Sequence, residues 1–321
     1  MAAQEQIKAS RPTTYDVRPS VVVVGGASVD IVGMAAGPVQ PRVSNPGRVR
    51  ISPGGAGRNV AENLARLGLR VALMTAVDAG PLGDWLIERT SNAGVDVTQI
   101  ARVEGRGHYY VAIESAGVLQ WATSDMAATE SVTPGAIDAR AGLIRAAEAV
   151  VLDANVLPAT IRRVAELAAG RLCLLPVSVA KSRRVLDVLN QSSMIALTAA
   201  EAQMLTDRPV TSRDEIVHAG RHLQSRGPAA VVITAGDQGM VWIGKETAWA
   251  QISPAAVVDA TGAGDAVAAV SIFCMLAGVR EDLAARLAAA AGALTCGIEG
   301  ATHPGLTREA LHRYAELAEN I

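Results

Sequence analysis

Aromatic side chains are nearly missing from this 321-residue chain: they make up 3% of it, with a single phenylalanine. A core without rings must be filled by aliphatic groups, and half of all residues are hydrophobic. Ala, Val, Leu and Ile in that proportion suit a parallel sheet covered by small-residue helices. Cysteine is scarce as well. Cys173, Cys274 and Cys296 are odd in number, far apart and each set in an apolar run. That excludes a disulfide framework and metal-ligand spacing, and leaves reduced core thiols, as expected of a cytoplasmic protein. No stretch approaches about eighteen uncharged apolar residues, so no membrane span is expected. A basic excess is lacking too: 29 Lys and Arg face 31 Asp and Glu, a net charge of −2. Nucleic acid is therefore not an expected partner.

What is present is alternation. Residues 1–20 are polar, carry Pro12 and Pro19, and lack the apolar core of a secretion signal, so they read as a loose arm. Residues 21–24 are a β-branched run that ends at Gly25-Gly26, the pattern of a buried first strand. Helical spacing follows over 57–67 and 82–93, with a strand at 71–74 between them. From Val150 onward strands are expected at 149–153, 172–176, 194–197 and 230–234, with helices between, then a hairpin of 240–243 and 247–251. Steady alternation of this kind predicts a doubly wound, mainly parallel α/β sheet over residues 21–321. Two Gly-, Pro- and β-rich excursions, about 33–53 and 105–125, have no place in such a sheet. They are expected to pair as a small β lid. Apolar lid strands would leave a face open unless paired, so a homodimer through the lids is expected.

The most informative string is Asp259-Ala260-Thr261-Gly262-Ala263-Gly264-Asp265. Preceded by a β-like run at 256–258, it opens the apolar segment 266–276, which reads as a buried helix. Small residues let the backbone turn tightly at a helix start, where several N–H groups and the helix dipole favour an anion, phosphate above all. Asp265 falls in the first turn beside that anion. Amides that stabilise a transferred group and a carboxylate that accepts a hydroxyl proton are what phosphoryl transfer to an alcohol needs. A bare glycine turn or a partial dinucleotide fingerprint are the competing readings; the latter lacks its third glycine, with Val267 in its place. Two further strings stand at expected strand ends. Gly25-Gly26-Ala27-Ser28-Val29-Asp30 offers a carboxylate for two sugar hydroxyls, with an Asx turn or helix cap as the alternative. Gly54-Gly55-Ala56-Gly57-Arg58-Asn59 leads into a helix and offers a close backbone approach and an amide that both donates and accepts, with a flexible hinge plus a cap as the alternative.

Together these strings resemble the ribokinase (PfkB) family of carbohydrate and nucleoside kinases, over essentially the whole chain after residue 20. The glycine cluster at 54–59 is similar to the family's G-G-x-x-x-N helix start, and 259–265 to its far more specific D-x-T-G-A-G-D. Thr234-Ala235-Gly236-Asp237-Gln238-Gly239 is similar to its nucleotide-side loop. The resemblance implies a catalytic base, Asp265, with an anion hole at Gly262, Ala263 and Gly264. It implies a sugar held by Asp30, Gly55 and Asn59, ATP bound along Thr198, Thr234, Gly236 and Gly239, and magnesium ordered through water by Glu201; K+ is a further possible cofactor. The family's N-x-x-E reads Thr198-Ala199-Ala200-Glu201 here. Several details are similar to the pseudouridine kinase branch, including Asn45-Pro46-Gly47, Ser124-Asp125-Met126 and Pro176-Val177-Ser178-Val179-Ala180-Lys181. Lys181 then becomes a candidate substrate contact, and pseudouridine, phosphorylated on its 5′ hydroxyl, the expected acceptor. Departures include Val77-Asp78-Ala79-Gly80 in place of V-G-x-D, Leu175 where that branch has an aspartate, and Ala260 in the catalytic string. A ribose or furanose kinase is the alternative enzyme, and a non-catalytic ligand-binding regulator the alternative outside enzymes.

Overall fold

The computed structural model describes residues 20–254 and 256–318. The expected arm at 1–20 thus lies outside the described residues, except Ser20, which begins β1 (Ser20–Val24). Val21, Val22, Val23 and Val24 are each at most 1% exposed. Their alternation sends Val21 and Val23 into one apolar layer and Val22 and Val24 into another. A strand buried on both faces must be apolar throughout, and each such valine contributes about 1.5–3 kcal/mol relative to exposure. One charged residue at Val23 would break this strand.

β1 lies one strand in from the edge of an eight-stranded sheet, with β4 (Arg70–Met74) as the edge strand beside it. On the other side follow β9 (Ala149–Asp153), β10 (Leu172–Leu175), β11 (Ser192–Thr198) and β12 (Ala230–Thr234), all parallel. The hairpin β13 (Met240–Ile243) and β14 (Thr247–Ala250) adds two antiparallel strands. One face is covered by α1 (Ala56–Arg66), α9 (Ala263–Leu276), α10 (Glu281–Cys296) and α11 (Arg308–Ala318). α2 (Pro81–Asn92) adds Leu86 to that layer, and α3 (Pro134–Asp138), α4 (Ala141–Ala146), α5 (Pro158–Ala168), α7 (Ala199–Thr206) and α8 (Arg213–Gln224) cover the other face. Buried Ala284, Ala285, Ala288 and Ala291 let α10 lie close against α9. Few aromatics are needed when small residues close the gap; the one phenylalanine, Phe273, packs beneath the Arg308 guanidinium at 4.9 Å.

The two excursions form a second sheet of order β3-β2-β7-β8. Its strands are β2 (Ser28–Ala35), β3 (Gly47–Gly54), β7 (Tyr109–Ser115) and β8 (Val118–Asp125), while β5 (Ala76–Asp78) and β6 (Ala101–Val103) pair as a separate two-stranded ribbon. β2 runs parallel to β7, with Asp30 opposite Tyr110. Ala116 (φ 50°) and Gly117 (φ 74°) make the β7–β8 turn, both left-handed, as a two-residue hairpin requires. Two expectations need correction. The lid begins at Ser28, not near 33, so Asp30 stands inside a strand and not in an Asx turn or cap. Residues 256–258 form no strand; Val257 and Val258 are 68% and 54% exposed, and β-branching without a neighbouring edge to pair with does not make a strand. Among the described residues no helix is long and apolar enough to cross a membrane.

Candidate active site

Chain order reverses at β1, which pairs with β4 on one side and β9 on the other, and ligands bind beyond the carboxyl ends of strands at such a point. The two glycine strings meet there. Gly55 is the N-cap of α1 with φ 92°, and a Cβ on it would fall 2.6 Å from Ala27 Cα. Only glycine fits, because the position is left-handed and pressed against the Gly26–Ala27 backbone. Arg58 N–H donates to Gly26 O and Asn59 N–H to Gly55 O, so the turn delivers Asn59, 4% exposed, into the cleft.

Asn59 Nδ2 donates to Asp265 Oδ2 at 2.8 Å, across 206 residues of sequence, and Arg58 Nη1 donates to Asn59 Oδ1 at 2.9 Å. The amide orientation is thereby fixed, with its donor end on the carboxylate. Asp265 is the third residue of α9. Gly262, the N-cap, has φ 75°, and a Cβ there would meet Ala301 O at 2.0 Å. Gly264 differs: a Cβ on it would meet nothing within 4 Å. One glycine is required by the fold, and the other faces open space at the helix start. Burial pushes the Asp265 carboxyl up to about 7, against the Asn59 hydrogen bond, with the nearby Asp153 and Glu201 charges pushing the same way as burial. The side chain keeps some contact with solvent at the bottom of its cleft. A carboxyl so poised is suited to general-base work near neutral pH.

Two cavities adjoin this carboxylate. A small one of about 110 Å³ is lined by Asp265, Gly264, Glu201, Thr198 and Thr234. A larger one of about 680 Å³ runs from Gly264 and Ala263 along Thr198, Thr234, Gly236 and Gly239 to Ala289 and Cys296. Gly236 and Gly239 have φ of 60° and 90° and close a tight loop in which Ala235 N–H donates to Gly239 O. Thr198 and Glu201 form a capping box on α7: Glu201 N–H donates to Thr198 Oγ1, and Thr198 N–H to Glu201 Oε2 at 2.8 Å. Burial raises the Glu201 carboxyl despite those donors. Among the described residues no cluster of three or more His, Cys, Asp or Glu could cage a metal. The donor set here fits magnesium held by phosphates and water with Glu201 at one remove, since Mg2+ keeps its waters.

At the lid, Asp30 Oδ1 accepts from Ser28 Oγ at 2.7 Å. Burial raises its carboxyl, with Ser28, Arg58 and Arg50 pulling the other way. Lys181, in the short helix α6 (Val179–Ser182), donates to Asn155 Oδ1 at 2.7 Å and touches Met126 Sδ, at the end of the lid, at 2.7 Å. Burial lowers its ammonium pKa. His108 lies alongside, with a buried, unpartnered Nδ1; burial and the Lys181 charge lower it to about 4, so it is neutral at pH 7. Val177 holds φ 60° in the loop leading to α6, a costly conformation for a β-branched residue.

Of the site residues expected from the sequence, Thr198, Glu201, Thr234, Gly236, Gly239, Ala263, Gly264 and Asp265 line these two cavities, Asn59 joins them through Asp265, and Asp30 and Lys181 line neither. One central residue was not singled out. Asp153 ends β9 fully buried, and its carboxylate accepts N–H bonds from Gly26 and Gly57 at 2.8 and 2.9 Å and from Asn155 at 2.8 Å. It staples both glycine strings to the sheet. A lone Asp ending an all-apolar strand was the available signal, because a buried carboxylate must find several donors.

Residues 18–308 match the model of the pfkB family of carbohydrate kinases. A pseudouridine kinase of Escherichia coli is 28% identical over 292 residues, covering 89% of this chain and 93% of that one. A guanosine-inosine kinase of Exiguobacterium acetylicum is 26% identical over 76% of this chain and 84% of its own. The structure of Arabidopsis thaliana ribokinase complexed with ribose and ATP superimposes with a TM-score of 0.82 at 21% identity, over 94% and 99% of the two chains, which speaks to the fold. The fold is ribokinase-like, and the chain belongs to the pfkB family of carbohydrate kinases.

Proposed function

We propose that this kinase transfers the γ-phosphate of ATP to the 5′ hydroxyl of a ribosyl nucleoside, with pseudouridine as the preferred acceptor. The observation that carries the reading is the Asn59–Asp265 hydrogen bond, which joins the acceptor-side glycine turn to the anion-side helix start. Asp30, Gly55 and Asn59 hold the ribose so that its primary hydroxyl lies against Asp265. Asp265 takes the proton as the new P–O bond forms, and the amides at Gly262, Ala263 and Gly264 hold charge on the transferred group. ATP lies along the cavity of about 680 Å³ that ends at those amides. Magnesium, when bound, neutralises phosphate charge, and Glu201 orders its water shell.

Pseudouridine is favoured over a free sugar by two observations. The relative at 28% identity, spanning 93% of its own length, is a pseudouridine kinase. Lys181, Asn155 and neutral His108 cluster next to the end of the lid, and their donors and acceptors suit the carbonyls and ring N–H groups of a pyrimidine. The lid's outward face carries Val49, Ile51, Val111 and Trp121, 39–71% exposed, which register places on one side of the sheet. A second copy seated lid to lid covers that face. The test of the acceptor is ADP release with magnesium and pseudouridine, uridine or ribose. Pseudouridine should give the highest kcat/KM, and turnover of ribose with pseudouridine inert would overturn the nucleoside assignment.

A further inference from the structure

Asp30 and Arg50 stand on the same face of the lid sheet, Arg50 two residues along β3 from Ser52, which pairs with Asp30. Asp30 belongs to the proposed acceptor site, and Arg50 does not. Arg50 of β3 reaches over the cleft, and its Nη2 donates to Asp259 Oδ2 at 3.1 Å, 209 residues away in sequence. The side chains are only 23% and 14% exposed, and Arg50 Nε is buried with no hydrogen-bond partner. Glu299 stands at 4.0 Å from the other terminal nitrogen. A guanidinium sheltered to this degree, with one N–H unmatched, is held there by its carboxylate.

Asp259 is a junction in its own right. Oδ1 accepts from Thr261 N–H at 2.9 Å, and Oδ2 from Gly300 N–H at 3.2 Å. Burial pushes this carboxyl up, but the Thr261, Gly300 and Arg50 donors outweigh it and hold it below its ordinary range. These two backbone segments, 259–261 and 300–301, enclose Gly262, whose Cβ position lies 2.0 Å from Ala301 O. The Asp259 carboxylate therefore fixes the turn from which the amides of residues 262–264 emerge.

We propose that Arg50 is a positioning residue that couples the lid to the anion hole: with the lid down, its guanidinium locks the Asp259 turn and completes the phosphate-binding amides. Strand β3 and the 259–264 turn then loosen together whenever the pair separates. An empty acceptor site leaves the hole slack, and acceptor binding under the lid assembles it. Water alone is thereby a poor trigger for γ-phosphate transfer. The inference rests on the kinase reading above for its consequence, but the coupling itself can be measured without any substrate.

The experiment uses the full chain and three variants, Arg50→Met, Asp259→Asn and the double. Amide hydrogen exchange should quicken in β3 and in residues 259–264 together, by roughly tenfold in either single variant. The double variant should add little, because both single changes break one link. Faster exchange in β3 alone, or fully additive effects, would overturn the coupling. In turnover, with whichever acceptor the unchanged protein uses best, Arg50→Met should lower kcat by roughly tenfold to a hundredfold. Arg50→Lys, keeping the charge, should recover part of the loss. A kcat within twofold of the unchanged protein would overturn the positioning role. If the unchanged protein phosphorylates no nucleoside, the acceptor assignment fails, while the exchange result still decides the latch.

Discussion

Replacing Asp265 with Asn should make the protein more stable and nearly inactive, and the gain in stability should depend on pH. Asp265 titrates at about 7 in the folded chain because burial and the neighbouring carboxylates Asp153 and Glu201 disfavour its charge. In the unfolded chain it titrates near the ordinary aspartate value of about 3.9. Between those values the folded state keeps a proton that the unfolded state has released. The stability contributed by this group is therefore fully present below about pH 4 and is lost as pH rises to about 7. The slope is about 1.36 kcal/mol per pH unit, or about 2.7 kcal/mol from pH 5 to 7. That figure is an upper bound, since the carboxyl keeps some solvent contact. An Asn at 265 can still accept from Asn59 but carries no charge to lose. With an unfolding entropy of about 2.1 cal/mol/K per residue over 321 residues, the Tm advantage of Asp265→Asn should widen by up to about 4 °C from pH 5 to 7 and level off above. Loss of the base should lower kcat by about a hundredfold to ten-thousandfold. In the unchanged protein kcat/KM should climb with pH through about 7 and then hold steady. Scanning calorimetry at several pH values and initial-rate assays read all three. A pH-independent Tm difference, or a kcat loss below tenfold, would refute the argument that a buried, charge-crowded Asp265 is the base.

Other consequences are sharp enough to measure. Gly264→Val meets no protein atom within 4 Å of its Cβ position but would stand in the cavities proposed to take the phosphates; it should keep a near-normal Tm while kcat drops by about a hundredfold or more. Gly262→Val, forced to φ 75° and against Ala301 O, should lose stability as well, so a matched Tm in the two variants would contradict this division of roles. Lys181→Met should raise KM for pseudouridine by about tenfold, the loss of one charge-assisted hydrogen bond, and leave KM for ATP unchanged; equal effects on both would remove Lys181 from the acceptor site. Trp121→Asp on the outward lid face should shift the protein to a monomer by light scattering, and an unchanged mass would exclude the lid-to-lid pairing.

Much of this site could be read in the residues because its parts are local. Buried strands such as Ala149–Asp153 and Ala230–Thr234 declare themselves by unbroken apolar runs, and their bounds match the expectation. The glycines at 55 and 262 are legible because backbone geometry there admits little else. Long-range placement was harder. Asp30 sits in the middle of a lid strand and not in a turn, since nothing in Ser28–Ala35 says which partner strand, eighty residues on, will pair with it. The run Ala256-Val257-Val258 has β propensity but no edge to join. Asp153 and Arg50 act through distant backbone and side-chain partners. A solitary charged residue in a sequence carries no mark of what it will meet.

The central claim is transfer to the 5′ oxygen of a nucleoside held under the lid. The most direct measurement gives the protein ATP, magnesium and either pseudouridine or 5′-deoxypseudouridine, following ADP release and the position of the new phosphate by 31P NMR. Pseudouridine should yield its 5′-monophosphate at the rate of ADP release. The 5′-deoxy compound should bind, inhibit competitively and release no ADP above background. Phosphate on any other hydroxyl, or equal ADP release from both compounds, would contradict the account.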